Sequence, residues 1–153
     1  MLTLECFAQR QLLKQKNLRA NMEYEFLVTP MGKPRMTQRD KWLNPPRTPI
    51  LKYRLVKQGI EAYALMHNFV LKDDVNVIFV LPMPSSWSNK KRLAMDGKPH
   101  QVKPDIDNML KAVFDVLCPQ GDQSIHSVVA KKIWGEEGKI IFIDNDDIEN
   151  TGD

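Results

Sequence analysis

The chain has 153 residues, with 22 Lys and Arg against 19 Asp and Glu and a formal charge of +3, which suits one domain with one core of ordinary size. No apolar run approaches the roughly 18 residues of a membrane helix, the first 19 residues lack the apolar stretch of a secretory signal, and the two cysteines, Cys6 and Cys118, belong to no C-x-x-C pair. A membrane-spanning protein, a disulfide framework and a zinc site are therefore not expected, and a cytoplasmic location is.

Residues 1–21 are polar and precede Met22, so they are read as an N-terminal appendage to a domain over 22–143. A strand is predicted over 24–28. Residues 29–49 contain Pro30, Pro34, Pro45, Pro46 and Pro49, which remove backbone donors and fix φ, so a long exposed loop is expected. Between 31 and 57 stand Lys33, Arg35, Arg39, Lys41, Arg47, Lys52, Arg54 and Lys57 against the single acid Asp40. Such clustering of one sign suggests a polyanionic partner.

From 50 to about 68 the apolar residues Leu55, Ile60, Tyr63, Ala64 and Met66 recur at near-helical spacing, giving an amphipathic helix. Residues 75–81 are β-branched and aromatic, a strand buried on at least one face. A second basic, irregular segment spans 82–104 and carries Trp87, Lys90, Lys91, Arg92, Lys98 and Lys103; segments of this length without regular structure are usually functional or mobile. A helix is predicted next over 105–117, with Ile106, Leu110, Val113 and Leu117 on one face and Asp107, Lys111 and Asp115 on another. Residues 127–134 and 139–143 read as strands joined by Gly135-Glu136-Glu137-Gly138, and a β-hairpin is expected. Residues 144–153 form an acidic tail with five acids and no base, leaving the remainder more basic than the whole. The order suits a mixed β-sheet covered by two main helices, a single domain of α/β or α+β class.

The segment richest in chemical information is Lys103-Pro104-Asp105-Ile106-Asp107-Asn108. Two carboxylates brought together without compensation are unfavourable, and a Mg²⁺ ion, which prefers oxygen ligands, would relieve them. Positions i and i+2 of a helix point about 200° apart, so Asp105 converges with Asp107 only if it precedes the first turn. The other reading is that both acids cap the helix and answer its dipole. Lys111 and Asp122 have similar double readings, as catalytic groups or as an exposed ion-pair partner and a turn residue.

Three stretches resemble the RusA-like Holliday junction resolvases, a family common in phages and prophages. Thr29-Pro30-Met31-Gly32-Lys33-Pro34-Arg35 is similar to an early P-x-G-x-x-R loop, and residues 103–117 to a D-x-D-N-x-x-K-A-x-x-D-x-L core. Asp122-Gln123-Ser124-Ile125 is similar to a D-D-x-x-V/I segment. The likeness covers roughly 22–143. The family's paired acids in the last segment are here Gly121-Asp122, so the third carboxylate rests on Asp122 alone.

The resemblance implies Asp105, Asp107 and Asp122 as essential, metal-holding acids and Lys111 as an essential basic residue. It implies a structure-specific endonuclease with one or two Mg²⁺ ions, replaceable by Mn²⁺, that makes paired nicks in four-way DNA junctions during recombination and repair, working as a homodimer. Phosphate contacts are expected from Lys33, Arg35, Lys90, Lys91, Arg92 and Lys103. Trp87 is expected either to stack on a base or to pack in an interface or the core. A non-catalytic DNA-binding module and a metal-dependent phosphotransferase acting on a small substrate are the alternatives. His67, His100 and His126 are needed by none of these, although His100 in the basic segment could contact phosphate.

Overall fold

The computed structural model describes residues 21–145; of the expected appendage (1–21) and acidic tail (144–153), residues 1–20 and 146–153 lie outside them, whereas residues 21, 144 and 145 belong to strands. Four strands form one sheet: β1 (Asn21–Phe26), β2 (Asp74–Pro82), β3 (Ser127–Gly135) and β4 (Lys139–Asn145). Among the described residues three helices accompany it, α1 (Thr48–Met66), α2 (Asn89–Met95) and α3 (Ile106–Leu117), with a 3-10 turn at Gln38–Lys41. The sheet is mixed, in the order β1-β4-β2-β3, with β2 and β3 parallel and the other pairs antiparallel. This is an α+β arrangement, one of the two classes that the order of elements left open.

The expected hairpin does not form. β3 pairs with β2 at one edge, while β4 crosses the end of β2 and inserts between β2 and β1. The reason lies in the side chains: Ile140 and Phe142 are buried and Ile141 and Ile143 half-buried, so β4 is apolar on both faces and takes a central place. In β3, Val128 and Val129 stay exposed, which suits an edge. The crossing chain runs so close to the strand end that a Cβ on Gly138 would lie 2.7 Å from the Cα of Thr29.

The core gathers Phe26, Val77, Phe79, Ile140 and Phe142 from the sheet with Ile60 of α1 and Met109, Val113 and Val116 of α3. α3 is strongly one-sided, burying Met109, Ala112, Val113 and Val116, so Asp107, Lys111 and Asp115 are left exposed on its outer side. β1 starts earlier than the expected 24–28 and ends at Phe26, and β4 runs past the expected 143: Met22 pairs with Asp144, whose carboxylate meets Lys72 at 2.6 Å. α2 interrupts the segment predicted to be irregular, capped by the Ser88 hydroxyl, which accepts from the Lys91 backbone N–H. Among the described residues no helix is long and apolar enough to cross a membrane.

Candidate active site

Asp105 stands just before α3 with extended backbone angles, φ −73° and ψ 143°, and its carbonyl accepts the first helical bond from the Met109 N–H at 3.1 Å. It therefore meets the condition for turning its side chain toward the Asp107 side. Its carboxylate makes no capping hydrogen bond, so the capping role open to it from sequence is not taken up. Asp107 lies in the first turn and Lys111 one turn later, all three exposed. Among the described residues the side chains of Asp105, Asp107 and Lys111 form no hydrogen bond or ion pair, whereas Asp40, Asp115 and Asp144 each meet a cation. Two unpaired hard-oxygen donors at a helix N-terminus fit a Mg²⁺ ion that takes its other ligands from water and substrate phosphate.

The chain leading into Asp105 is laced along the outer edge of β3. The Gly97 N–H donates to the Trp134 carbonyl, Trp134 N–H to Lys98 and His100 N–H to Lys132, at 2.9–3.0 Å. The Lys132 ammonium then donates to the carbonyls of Val102 at 2.6 Å and Pro104 at 2.8 Å. His100 is buried against the Trp134 ring, and its Nδ1 has no partner among the described residues. Burial, followed by the Lys132 charge, holds its pKa below the ordinary histidine value. At 5 % exposure His100 acts chiefly as a packing partner of Trp134, and little of its ring is left to meet a phosphate. Trp87 packs on Trp134, with Lys91 over its ring at 4.3 Å, so of its two expected roles the structure displays packing.

The first basic loop docks beside the same helix. The Asn108 side chain donates to the Lys33 carbonyl at 3.3 Å, and Gly32 is so close that a Cβ would lie 2.4 Å from Asn108 Nδ2. The Lys33 ammonium pairs with Asp115, and that hydrogen bond raises its pKa. Further along, buried Asp40 accepts two bonds from Arg47, at 2.6 and 2.7 Å, and one from the Thr37 N–H, which hold its carboxyl well below the usual range. Arg47 also donates to the Arg35 carbonyl, fixing the backbone while the Arg35 side chain stays exposed. Of the other expected phosphate contacts, Lys90 and Lys103 are exposed and Arg92 donates to the Pro84 carbonyl.

Asp122 is placed elsewhere. It lies past the C-terminal end of α3, near enough to Cys118 to help raise that thiol's pKa after burial itself, while Asp105 and Asp107 sit at the N-terminal end. A helix of this length separates the ends by about 18 Å. The three carboxylates are not brought together within one chain, and no group of three His, Cys, Asp or Glu able to hold a metal occurs among the described residues.

Sequence reading missed Lys132, although the pair Lys131-Lys132 in a strand forces one lysine onto each face. It also left Asn108 and Asp115 without a role, although both lie on the same side of α3 two turns apart.

In comparison with known proteins, residues 25–143 match the family model described as Endodeoxyribonuclease RusA, a span from β1 to β4 that includes every candidate site residue. A search of curated proteins gives no match.

Proposed function

The chain belongs to the endodeoxyribonuclease RusA family, and from that premise we propose that it is a Mg²⁺-dependent, structure-specific nuclease that resolves four-way DNA junctions by paired nicks. The observation that carries the metal assignment is the pair of exposed, unpaired carboxylates, Asp105 and Asp107, at the start of α3 beside a docked basic loop.

In this reading Asp105 and Asp107 hold one or two Mg²⁺ ions, with Mn²⁺ as a substitute. When bound there, such an ion would supply Lewis-acid charge for water activation and for offsetting the phosphate charge. Water attacks phosphorus in line, a P–O bond forms as the P–O3′ bond breaks, and the products are a 5′-phosphate and a 3′-hydroxyl. Lys111, one turn from Asp107, presents fixed positive charge to the developing oxyanion. Arg35, Lys90, Lys91, Arg92 and Lys103 track the backbone, so binding weakens steeply with salt. Lys33, being paired with Asp115, contributes by holding its loop as well as by charge.

Asp122 joins this site from a second copy. Its position at the far end of α3 supports that arrangement, because a two-fold dimer with antiparallel α3 helices brings each Asp122 to its partner's helix start. The two-fold axis would match that of a four-way junction.

The test is cleavage of synthetic four-way junctions and plain duplex by the wild-type protein in Mg²⁺ and in EDTA, with a simple phosphate ester as a third substrate. Junction nicking that needs Mg²⁺ and leaves 5′-phosphates is the expected result. Turnover of the phosphate ester with no DNA cleavage, or binding without cleavage in every metal, contradicts it.

A further inference from the structure

The Lys132 side chain serves the acidic site without belonging to it. β3 carries Lys131 and Lys132 in succession, and strand alternation sends their side chains to opposite faces. Lys131 is exposed, whereas Lys132 is half-buried and reaches two carbonyls just ahead of Asp105, those of Val102 and Pro104. Hydrogen bonds from an ammonium are stronger than neutral ones, and here two of them converge on three residues of chain. The Lys132 backbone adds a third tie by accepting from the His100 N–H at 3.0 Å. The segment 100–104 is therefore tied to one residue of the sheet at three points. It leads directly into the extended Asp105 and the first helical bond, Met109 N–H to Asp105 carbonyl.

We infer that Lys132 is the positioning residue of the acidic site: its ammonium fixes the Val102 and Pro104 carbonyls and so sets where Asp105 presents its carboxylate. The inference rests on the reading of Asp105 as a metal-holding group. Metal sites lose affinity when the groups orienting their ligands are removed, by about 10- to 100-fold in measured cases. Lys132→Met keeps the length and apolar stem but donates nothing, and Lys132→Arg restores a donor.

The experiment compares wild type, Lys132→Met, Lys132→Arg and Lys131→Met, the last removing the same charge from the opposite face. Two quantities are read: Mn²⁺ affinity by electron paramagnetic resonance of the free ion, and amide hydrogen exchange over residues 105–109. In Lys132→Met, exchange at the Met109 amide is expected to rise about tenfold and Mn²⁺ affinity to fall about tenfold or more, with slow exchange retained in the β2 and β4 core. Lys132→Arg recovers part of both, and Lys131→Met changes neither. Unchanged exchange in Lys132→Met overturns the inference, as does faster exchange with unaltered Mn²⁺ affinity. Loss of core protection in Lys132→Met transfers the decision to Lys132→Arg, where wild-type behaviour supports the inference and unfolding makes Lys132 a general stability residue, overturning it. A wild-type protein that binds no Mn²⁺ defeats the metal assignment of Asp105 and Asp107, and the inference with it, whereas wild-type binding with unchanged Lys132→Met defeats the inference alone.

Discussion

Lys33 and Asp115, 82 positions apart in sequence, form an ion pair that fastens the first basic loop to the outer side of α3. Both side chains are close to half exposed, so the pair itself stabilises the fold by no more than about 1 kcal/mol. Its consequence is positional: the Asn108 bond to the Lys33 carbonyl and the close approach of Gly32 place the loop and the acidic helix start in one rigid relation. Asp115→Asn is expected to leave thermal stability within about 1 kcal/mol of wild type while weakening junction binding several-fold in anisotropy titrations. Combined with Lys33→Met, the loss in affinity should be smaller than the sum of the two single losses, since both break the same contact. Strict additivity would show that Lys33 acts as an independent phosphate ligand.

The separation of Asp122 from Asp105 and Asp107 along α3 gives a second prediction. If Asp122 completes the site of a second copy, as proposed, Asp107→Asn and Asp122→Asn proteins should each be inactive alone. When the two proteins are mixed and allowed to exchange subunits, nicking is expected to return, because half of the sites in a mixed dimer then carry no substitution. Sites contained within single chains would give no recovery.

The connection from β3 to β4 is tested by Gly138→Ala. A Cβ there meets the Thr29 backbone at 2.7 Å, and backbone cannot swing aside as a long side chain can, so a loss of about 1–3 kcal/mol is expected in denaturant unfolding. An open hairpin turn would tolerate the change with little loss.

His100 makes stability depend on pH in a definite direction. Its folded-state pKa lies below the ordinary 6.5 through burial and then the nearby Lys132, so the folded protein resists a proton that the unfolded chain accepts. Stability contributed by this group is complete above the unfolded value and is lost as pH falls below it toward the folded value. Urea midpoints measured from about pH 7.5 down to about pH 5 should drop in wild type and drop less in His100→Phe, which keeps an aromatic ring against Trp134. Parallel profiles for the two proteins would contradict the assignment.

Much of this was legible in the chain. The one-sided pattern of α3 placed Asp107 and Lys111 outward and Val113 inward, with Ile106, Leu110 and Leu117 only half-buried against the core; the stripe buried most deeply is turned toward Met109, Ala112 and Val116, which the spacing did not single out. The extended Asp105, between Pro104 and the helix, was likewise readable from the need to break the roughly 200° divergence of i and i+2. Sheet order was not. Strand pairing is decided by which apolar faces meet in three dimensions, and a short Gly-Glu-Glu-Gly link suggests neighbours even when β2 lies between them. Nor could sequence distance reveal that Asp122, though close to Asp107 along the chain, stands a full helix away. Local spacing speaks within a turn or two, and beyond that the direction of the helix decides.

The most direct test of the central claim is the cleavage of a synthetic four-way junction in Mg²⁺ by wild type, Asp105→Asn and Asp107→Asn, with binding measured on the same samples. Asparagine keeps the shape of each side chain and removes its charge. Junction binding within a few-fold of wild type is predicted for both variants, together with a fall in nicking rate on the order of 10²–10³-fold or more. Nicking by either variant at the wild-type rate would contradict the assignment of these two carboxylates to the metal.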